Sequence, residues 1–331
     1  MPVTEFDAAL AKSAEATLSR VSAAREAVGA VIFGQQKVVD ETLVTLLSGG
    51  HGLLIGVPGL AKTKLVETLG VVLGLDALRI QFTPDLMPSD ILGAEVMEEG
   101  QDGRRSFRFL PGPVFAQLLM ADEINRASPR TQSALLQAMQ ERHVTIAGAR
   151  HDLPQPFHVL ATQNPLEQEG AYPLPEAQLD RFLMQIDVGY PDRDAERRVL
   201  IETTGVAEAK PKPAMTADDL MAAQRLVRAA PIGENVVEAI LDLVRAARPG
   251  EGDADLTKPV AWGPGPRAAQ ALTLASRARA LIDGRLAPSR DDVVALAEPV
   301  LKHRMALTYP ARAEGETISA VVARLVAKYV R

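Results

Sequence analysis

The sequence contains no cysteine among its 331 residues, and it has only five histidines, one tryptophan and 4% aromatic residues. Without cysteine the chain can form no disulfide, no thiolate metal site and no cysteine nucleophile. The five histidines show no metal-ligand spacing, so we treat them as structural. The absence of disulfides fits a reducing compartment, and we expect a cytoplasmic protein.

Long hydrophobic runs are also missing. No stretch reaches the roughly 18 consecutive apolar residues of a membrane-spanning helix, and the first twenty residues lack the apolar run of a secretory leader. The formal net charge is −6, so the overall balance does not supply the basic face with which proteins bind nucleic acid. We therefore expect no membrane span, and nucleic acid is not the favoured partner.

The first half of the chain carries short apolar runs that predict a parallel sheet. After a helical pattern at 4–29, nearly continuous apolar runs occur at 51–57, 77–83, 115–122, 156–164 and 182–189. Such runs are typical of strands buried on both faces of a parallel sheet. Helical patterns lie between several of them, at 62–75 and 128–142. This alternation predicts an α/β architecture with a five-stranded parallel sheet flanked by helices.

Two segments and the second half of the chain depart from this alternation. Segments 94–110 and 143–152 have turn residues between β-like arms and predict two β-hairpin inserts. After Tyr190 only helical patterns remain, at 192–204, 216–229, 233–247, 265–283, 288–304 and 315–330. The sequence therefore predicts an α/β domain at 1–190 and a small all-α domain at 191–331.

Residues 56–63, GVPGLAKT, nearly match the phosphate-binding pattern G-x-x-x-x-G-K-[ST] between a strand and a helix. Lys62 would reach the β- and γ-phosphates of a nucleotide, and the Thr63 hydroxyl would ligate Mg²⁺. Ala61 replaces the second glycine of the pattern. It keeps its N–H, and we expect it to have negative φ at the start of the helix. The alternative is a chance glycine-rich turn before a helix.

Polar residues end two later apolar runs. Asp122 and Glu123 follow a buried strand and are suited to hold Mg²⁺ and to activate water, although two acids can also simply end a solvated strand. Asn164 ends the next predicted strand and could hold the water opposite Glu123; the alternative is a turn asparagine before Pro165. The carboxyl ends of parallel strands meet at one edge, where ligands bind.

Several arginines have two open interpretations. Arg181 is either a surface residue or an arginine finger for a phosphate held by a neighbouring subunit. Arg267 lies in the first turn of a predicted helix, where a positive charge needs an anionic partner, either a nucleotide or a nearby carboxylate. The cluster Arg104, Arg105 and Arg108 is either a solvated hairpin or a contact for a partner or nucleic acid.

The ordered set of motifs resembles the MoxR family of AAA+ ATPases over nearly the whole chain. The matching stretches are VIFGQ (31–35), GVPGLAKT (56–63), FTPDLMPSDILG (82–93), MADEINRA (120–127), ATQNP (161–165), EGAYPLPEAQLDRF (169–182) and GPR (265–267). Alanine before the lysine is familiar in this family. The resemblance implies an AAA+ core with two hairpin inserts, followed by an all-α lid domain.

The resemblance also implies roles for individual residues. Asp122 and Glu123 would be the Walker B pair, Asn164 the sensor 1 residue, Arg181 the finger acting in trans and Arg267 the sensor 2 residue. The nucleotide-binding residues would be Val31, Ile32 and Gly34 beside adenine, and Gly56, Val57, Pro58, Gly59, Leu60, Ala61, Lys62, Thr63 and Lys64 around the phosphates.

The implied function is ATP hydrolysis with Mg²⁺ in a homo-oligomeric ring, usually a hexamer. Members of the family are viewed as chaperone-like, remodelling or maturing protein complexes, often with partners that carry a von Willebrand factor A domain. Two alternatives remain open at this point: a helicase-like motor on DNA, and an ATPase subunit of a magnesium-chelatase-like complex.

Overall fold

A computed structural model describes residues 3–99, 105–166, 170–204 and 210–331. The helices are α1 (Val3–Gly29), α2 (Gln36–Leu47), α3 (Lys62–Val72), α4 (Pro88–Leu92), α5 (Pro129–Glu141), α6 (Glu176–Leu179), α7 (Arg193–Thr203), α8 (Ala217–Ala229), α9 (Glu234–Ala246), α10 (Ala254–Thr257), α11 (Pro266–Ile282), α12 (Arg290–Leu301), α13 (Tyr309–Ala313) and α14 (Ile318–Tyr329). The strands are β1 (Gly52–Ile55), β2 (Ala77–Gln81), β3 (Gly93–Glu99), β4 (Arg105–Pro111), β5 (Leu118–Asp122), β6 (His143–Ile146), β7 (Ala149–Asp152), β8 (His158–Gln163), β9 (Met184–Asp187), β10 (Val260–Trp262) and β11 (Ala306–Leu307).

Five strands form the predicted parallel sheet, in the order β2-β5-β8-β1-β9. Every residue of β5 is buried, and β8 is buried up to its last residue. The continuous apolar runs follow from this burial, because helices cover both faces of the sheet. Since all five strands run the same way, the loops that follow β1, β5 and β8 meet at one edge. The sequence-based prediction of the sheet is confirmed.

The two predicted hairpin inserts are also present. β3 pairs with β4 from Gly93↔Pro111 to Glu99↔Arg105, and the predicted turn at 101–104 lies outside the described residues. In the second hairpin, formed by β6 and β7, the turn residues Ala147 and Gly148 both have positive φ, which the tight turn requires. The ring of Phe109 on β4 stacks on His151 of β7, with centroids 3.9 Å apart, so the two hairpins touch.

The arginines of the first hairpin form ion pairs within it. Arg105 lies 3.5 Å from Glu99, and Arg108 lies 3.3 Å from Glu98. All four side chains are about half exposed or more. These contacts are those of a solvated hairpin, while Arg104 lies outside the described residues.

The C-terminal half is helical, with one small departure from the all-α prediction. β10 and β11 form a two-stranded antiparallel sheet, irregular between Val260 and Trp262. Strands of three and two residues are too short to give a period-two pattern in the sequence, which is why they were not predicted. No helix in the described ranges is long and apolar enough to cross a membrane.

One hydrophobic core joins the two halves of the chain. α2 packs against α11, and a single cluster of buried apolar side chains contains Leu46 of α2, Leu160 of β8 and Leu272 of α11. A second cluster lies on the other side of the sheet, between the strands and α5. The division at residue 190 stays a prediction, since the larger core extends across it.

Candidate functional site

The loop between β1 and α3 has the geometry of a phosphate-binding loop. At Gly56 a Cβ would lie 2.6 Å from the carbonyl oxygen of Val188, so only glycine fits between the two strands. Gly59 has φ +83 and open space around it. The buried Gln35 amide donates to the carbonyl of Leu60 at 3.2 Å and fixes the far side of the loop. The backbone of this loop therefore faces a cavity directly before the N-terminus of a helix, where anions bind.

Ala61 adopts a conformation that contradicts the expectation of negative φ. It is the N-cap of α3 with φ 57 and ψ 21, in the left-handed region. For a residue with a Cβ this conformation costs roughly 1–2 kcal/mol relative to a right-handed one. Two neighbouring hydrogen bonds hold it: Leu65 N–H donates to the Ala61 carbonyl at 2.9 Å, and the Gln35 amide fixes Leu60. The position has the geometry of a glycine although the residue is alanine.

The Lys62 amine lies folded over the loop. Its Nζ donates to the carbonyl oxygens of Gly56 at 2.5 Å and Val57 at 2.9 Å. Partial burial lowers the pKa of Lys62, while the nearby charges of Asp122 and Glu123 raise it. The amine thus lies between the loop and the two acids, where nucleotide phosphates would be held.

Asp122 is the last residue of β5, and it is buried between two hydrogen-bond donors. The Thr162 hydroxyl donates to its Oδ1 at 2.6 Å, and the Arg79 guanidinium donates to its Oδ2 at 2.6 and 3.1 Å. β5 lies between β2 and β8 in the sheet, which brings Arg79 and Thr162 to its two sides. The buried carboxylate is therefore oriented towards the loop edge of the sheet.

Glu123 also has left-handed backbone geometry, with φ 54. Its N–H donates to the Thr162 hydroxyl oxygen at 2.9 Å. Its Oε2 accepts from the Gln81 amide at 2.6 Å and from Arg126 at 3.2 Å. The carboxylate is therefore held by side-chain donors beside the cavity.

One cavity of about 470 Å³ collects most of the predicted site residues. Asn164 lies in its wall, buried to 6% exposure, and its Oδ1 accepts from Leu166 N–H at 3.1 Å, while its side-chain NH₂ has no hydrogen-bond partner among the described residues. The complete lining is Pro58, Gly59, Leu60, Ala61, Lys62, Thr63, Lys64, Arg79, Gln81, Asp122, Glu123, Thr162 and Asn164.

Arg79, Gln81 and Thr162 were not predicted from the sequence. Arg79 and Gln81 alternate with apolar residues in β2 and so project from one face of that strand. This alternation was the sequence signal that could have identified them. The strand order that places β2 beside β5 could not be read from the sequence, because it depends on how the chain crosses over between strands.

A second cavity of about 310 Å³ adjoins the first and shares Gly59, Leu60, Ala61 and Lys64 with it. Its walls include Val31 and Ile32, which the resemblance assigned to the adenine side, together with Pro191 and Val199. The largely apolar lining suits a flat base. Gly34 lies behind it: a Cβ there would come 2.1 Å from the Cβ of Ala195, so glycine lets α7 approach. The residues contributed by α7 were not predicted.

Arg181 and Arg267 lie at the opposite edge of the sheet from this loop. They line a cavity of about 280 Å³ with Gly50 and His51, which precede β1, whereas the phosphate loop follows β1. A four-residue strand separates the two edges by about 13 Å. Arg267 lies 3.6 Å from Asp180, so the carboxylate partner that the sequence left open is present. Neither arginine lines the phosphate-loop cavity of its own chain.

Arg142 and Arg304 line the same cavity, which therefore contains four arginines. Arg304 donates hydrogen bonds from all three of its guanidinium nitrogens. In the described part of the chain, Arg142 and Arg181 have no side-chain hydrogen bond or ion pair. The buried His51 adds no positive charge at neutral pH, because burial and the neighbouring His158 lower its pKa to about 3. Two unpaired guanidinium groups thus face the outside at this edge.

Comparison with known proteins identifies the class. Residues 51–184 match the family model described as the ATPase family associated with various cellular activities (AAA), and residues 257–325 match the AAA lid domain. With the five-stranded sheet and the phosphate loop, these matches define an AAA ATPase core with a lid.

Individual relatives narrow the class further. The chain is 45% identical to chaperone MoxR1 of Mycobacterium tuberculosis over 298 residues, which cover 89% of this chain and 78% of the relative. It is 33% identical to protein MoxR of Paracoccus denitrificans, over 88% of this chain and 89% of the relative. A crystal structure of a Cytophaga hutchinsonii protein proposed to be an ATPase superposes with a TM-score of 0.89 at 37% identity, covering 98% of both chains. This chain belongs to the MoxR family of AAA+ ATPases, which confirms the resemblance found in the sequence.

Proposed function

We propose that this protein binds ATP with Mg²⁺ and hydrolyses it in a homo-oligomeric ring, in which Arg181 of each subunit serves the nucleotide of its neighbour. One observation carries this proposal. The phosphate loop and Arg181 lie at opposite edges of the same sheet. A head-to-tail arrangement of identical subunits brings one edge against the other, and it closes into a ring when the rotations between successive subunits add up to a full turn.

Within one chain, the loop residues would bind the phosphates. On binding, the Lys62 amine exchanges the carbonyls of Gly56 and Val57 for phosphate oxygens. The adjoining apolar cavity, with Val31 and Ile32, would take the base. Thr63 and Asp122, which line the same cavity, offer a hydroxyl and a carboxylate for Mg²⁺. Mg²⁺ characteristically takes one or two protein oxygens together with substrate phosphates, and it would neutralise charge on the phosphates when bound.

Glu123 would act as the general base for the attacking water, with Asn164 holding that water from the other side. Both residues line the cavity, and they follow neighbouring strands. Glu123 is first released from Gln81 and Arg126, which donate to its Oε2. Proton transfer to such a base contributes typically 10²–10⁴-fold to a rate.

Arg181 of a neighbouring subunit would supply the positive charge that the phosphate-loop cavity of a single chain lacks. No arginine other than Arg79 lines the phosphate-loop cavity in the described ranges, and Arg79 is paired with Asp122. An arginine finger from a second molecule is worth about 10³–10⁵ in rate in other nucleoside triphosphatases. Arg267, its partner Asp180 and Arg142 lie in the same cavity as Arg181, so they would face the same neighbouring nucleotide.

The test compares ATP binding, ATP turnover and native mass in a set of full-length variants. We expect Lys62→Ala to lose ATP binding, and Glu123→Gln to bind ATP without turning it over. Arg181→Ala should bind ATP normally but lose about 10³–10⁵ in turnover. Arg324→Ala is the matched control, since Arg324 is a lid arginine whose ion pair within the described residues is with Glu316, away from both cavities. Normal turnover in Arg181→Ala, or full turnover by a monomer, would refute the shared site.

The biological role we propose is chaperone-like remodelling or maturation of partner protein complexes. It is supported by the name of the relative chaperone MoxR1. We further propose a hexamer and a partner with a von Willebrand factor A domain. Capture with Glu123→Gln in ATP should retain that partner, while Lys62→Ala should not. Equal recovery with both variants would contradict nucleotide-dependent engagement, and turnover stimulated by DNA would instead favour a motor on nucleic acid.

A further inference from the structure

Arg304 is a buried cation in the short turn after α12, with 2% of its surface exposed. All three guanidinium nitrogens donate to protein oxygens. Nε donates to Asp180 Oδ1 at 2.7 Å, Nη1 to the carbonyls of Val300 at 2.6 Å and Leu183 at 3.1 Å, and Nη2 to the carbonyls of Phe182 at 2.6 Å and Asp180 at 3.2 Å. Arg304 therefore has no donor left for a ligand, so its role must be exercised through these partners.

The partners of Arg304 lie on both sides of Arg181. Asp180 precedes it, while Phe182 and Leu183 follow it and lead into β9. Asp180 is contacted from the lid a second time, by Arg267 of α11 at 3.6 Å. Arg304 belongs to the lid match at 257–325, whereas the segment 180–183 belongs to the AAA match at 51–184. The buried Arg304 of the lid is thus hydrogen-bonded to the segment 180–183, which carries the predicted arginine finger Arg181.

The strength of this attachment comes from burial. Removing a guanidinium from water is costly, and it is offset here by a carboxylate and by four carbonyl oxygens. Desolvation lowers the pKa of Arg304, and its hydrogen bond to Asp180 raises it. Loss of one partner would leave a buried charge unpaired, so the segment cannot easily leave the lid while Arg304 is in place. The Arg181 side chain makes no hydrogen bond or ion pair within the described residues, and its backbone is continuous with the anchored residues Asp180 and Phe182.

We propose that Arg304 is a positioning residue that holds Arg181 on the lid, so that the arginine offered to the neighbouring subunit moves when the lid moves. This inference rests on the proposed function, in which Arg181 acts on the neighbour's nucleotide. A rotation of one subunit's lid would then change the rate at the next subunit's site. The lid would act in this way as the link between successive sites of the ring.

The first test is Arg304→Lys in the full-length protein. Lysine keeps the charge but cannot reach partners on both sides of Arg181 at once. We expect turnover to fall about 100-fold, the loss typical of a catalytic group displaced by about 1 Å. The Kd for ATP should stay within about threefold, because residues 180–183 do not line the ATP cavity of their own chain.

The decisive test is subunit mixing with Lys62→Ala, whose phosphate loop is disabled but whose finger is intact. In a mixed ring, a Lys62→Ala subunit has Arg181 in its normal position, and this Arg181 can act at the intact phosphate loop of a neighbouring Arg304→Lys subunit. With equal random mixing, about a quarter of the interfaces combine a working loop with a working finger, so about a quarter of wild-type turnover should return. A purely structural defect inside the Arg304→Lys subunit would not be rescued in this way.

Two comparison variants separate the possible failures. Arg181→Ala mixed with Lys62→Ala must also recover; if it does not, the proposed shared site fails. If that mixture recovers and the Arg304→Lys mixture does not, or if Arg304→Lys alone keeps wild-type turnover, the positioning role is refuted. Asp180→Asn provides a second route should Arg304→Lys not fold, since it removes the charge partner of Arg304 Nε, and its mixture should recover likewise.

Arg285→Lys is the matched control. Arg285 is another lid arginine paired with a buried carboxylate, donating to Asp292 at 2.7 and 2.9 Å, and it does not contact residues 180–183. It should reduce thermal stability without changing turnover at temperatures where the protein is folded. A 100-fold loss of turnover in Arg285→Lys would show that any loosening of the lid suffices, and it would overturn the specific role of Arg304.

Discussion

Replacing Ala61 with glycine should stabilise the protein, although alanine to glycine substitutions usually do the opposite. Ala61 has φ 57, a conformation that costs a residue with a Cβ roughly 1–2 kcal/mol. Glycine removes that strain but makes the unfolded chain more flexible, which offsets about 0.4–1 kcal/mol. We therefore expect the free energy of unfolding of Ala61→Gly to rise by about 0.5–1 kcal/mol.

Urea denaturation measures this difference, as a shift of the transition midpoint at unchanged slope. Two controls calibrate it. Ala147→Gly changes another alanine with positive φ, at 49, in the hairpin turn away from the cavity, and should also be stabilising. Ala134→Gly changes an alanine inside α5 and should destabilise by about 1 kcal/mol. If Ala61→Gly loses as much stability as Ala134→Gly, the argument from backbone strain is wrong.

Three further predictions concern groups that the sequence did not single out. Gln81→Ala removes a donor to the Glu123 carboxylate, so we expect basal ATP turnover to rise several-fold; a fall would mean that Gln81 assists Glu123 instead of restraining it. Thr162→Val removes the buried hydroxyl that donates to Asp122 and accepts from Glu123 N–H, and it should lower the free energy of unfolding by about 1–3 kcal/mol in urea denaturation; an unchanged midpoint would contradict this. Burial raises the pKa of Glu41 to about 7 from an ordinary value of 4.5, so the folded state holds this proton more tightly than the unfolded chain. The stabilisation that comes from this bound proton is complete below pH 4.5 and is lost as the pH rises through 7. The free energy of unfolding of Glu41→Gln should therefore exceed that of wild type by an amount that grows across this pH window to about 3 kcal/mol. A difference between the two proteins that does not change with pH would refute this prediction.

The parts of the fold that follow from local pattern were predictable. The buried strands leave continuous apolar runs, and the phosphate loop leaves glycines where a Cβ would collide, as at Gly56. The acids that end β5 could be placed at the edge of the sheet near the loop because parallel strands end together. This reasoning placed Lys62, Asp122, Glu123 and Asn164 near one another, and all four line one cavity in the structure, while their roles stay predictions.

The parts that depend on how elements come together were not predictable from one sequence. Arg79 reaches Asp122 because β2 is the neighbour of β5 in the sheet, and no local sequence pattern indicates the order of the strands. The left-handed backbone of Ala61 depends on the direction in which the loop enters α3, which composition alone does not fix. The need of Arg267 for an anionic partner was foreseen, but its partner Asp180 was not.

The single core that joins α2, the sheet and α11 also bears on how the protein can be divided. A fragment ending at residue 190 would keep Leu43, Leu46 and Leu47 of α2 but lose the helix that packs on them. Such a fragment would expose a large apolar face, of the kind that leads to aggregation. We therefore expect the two halves to unfold together in one cooperative transition. Insertions should be tolerated more readily at the hairpin tips and surface loops than between the two halves.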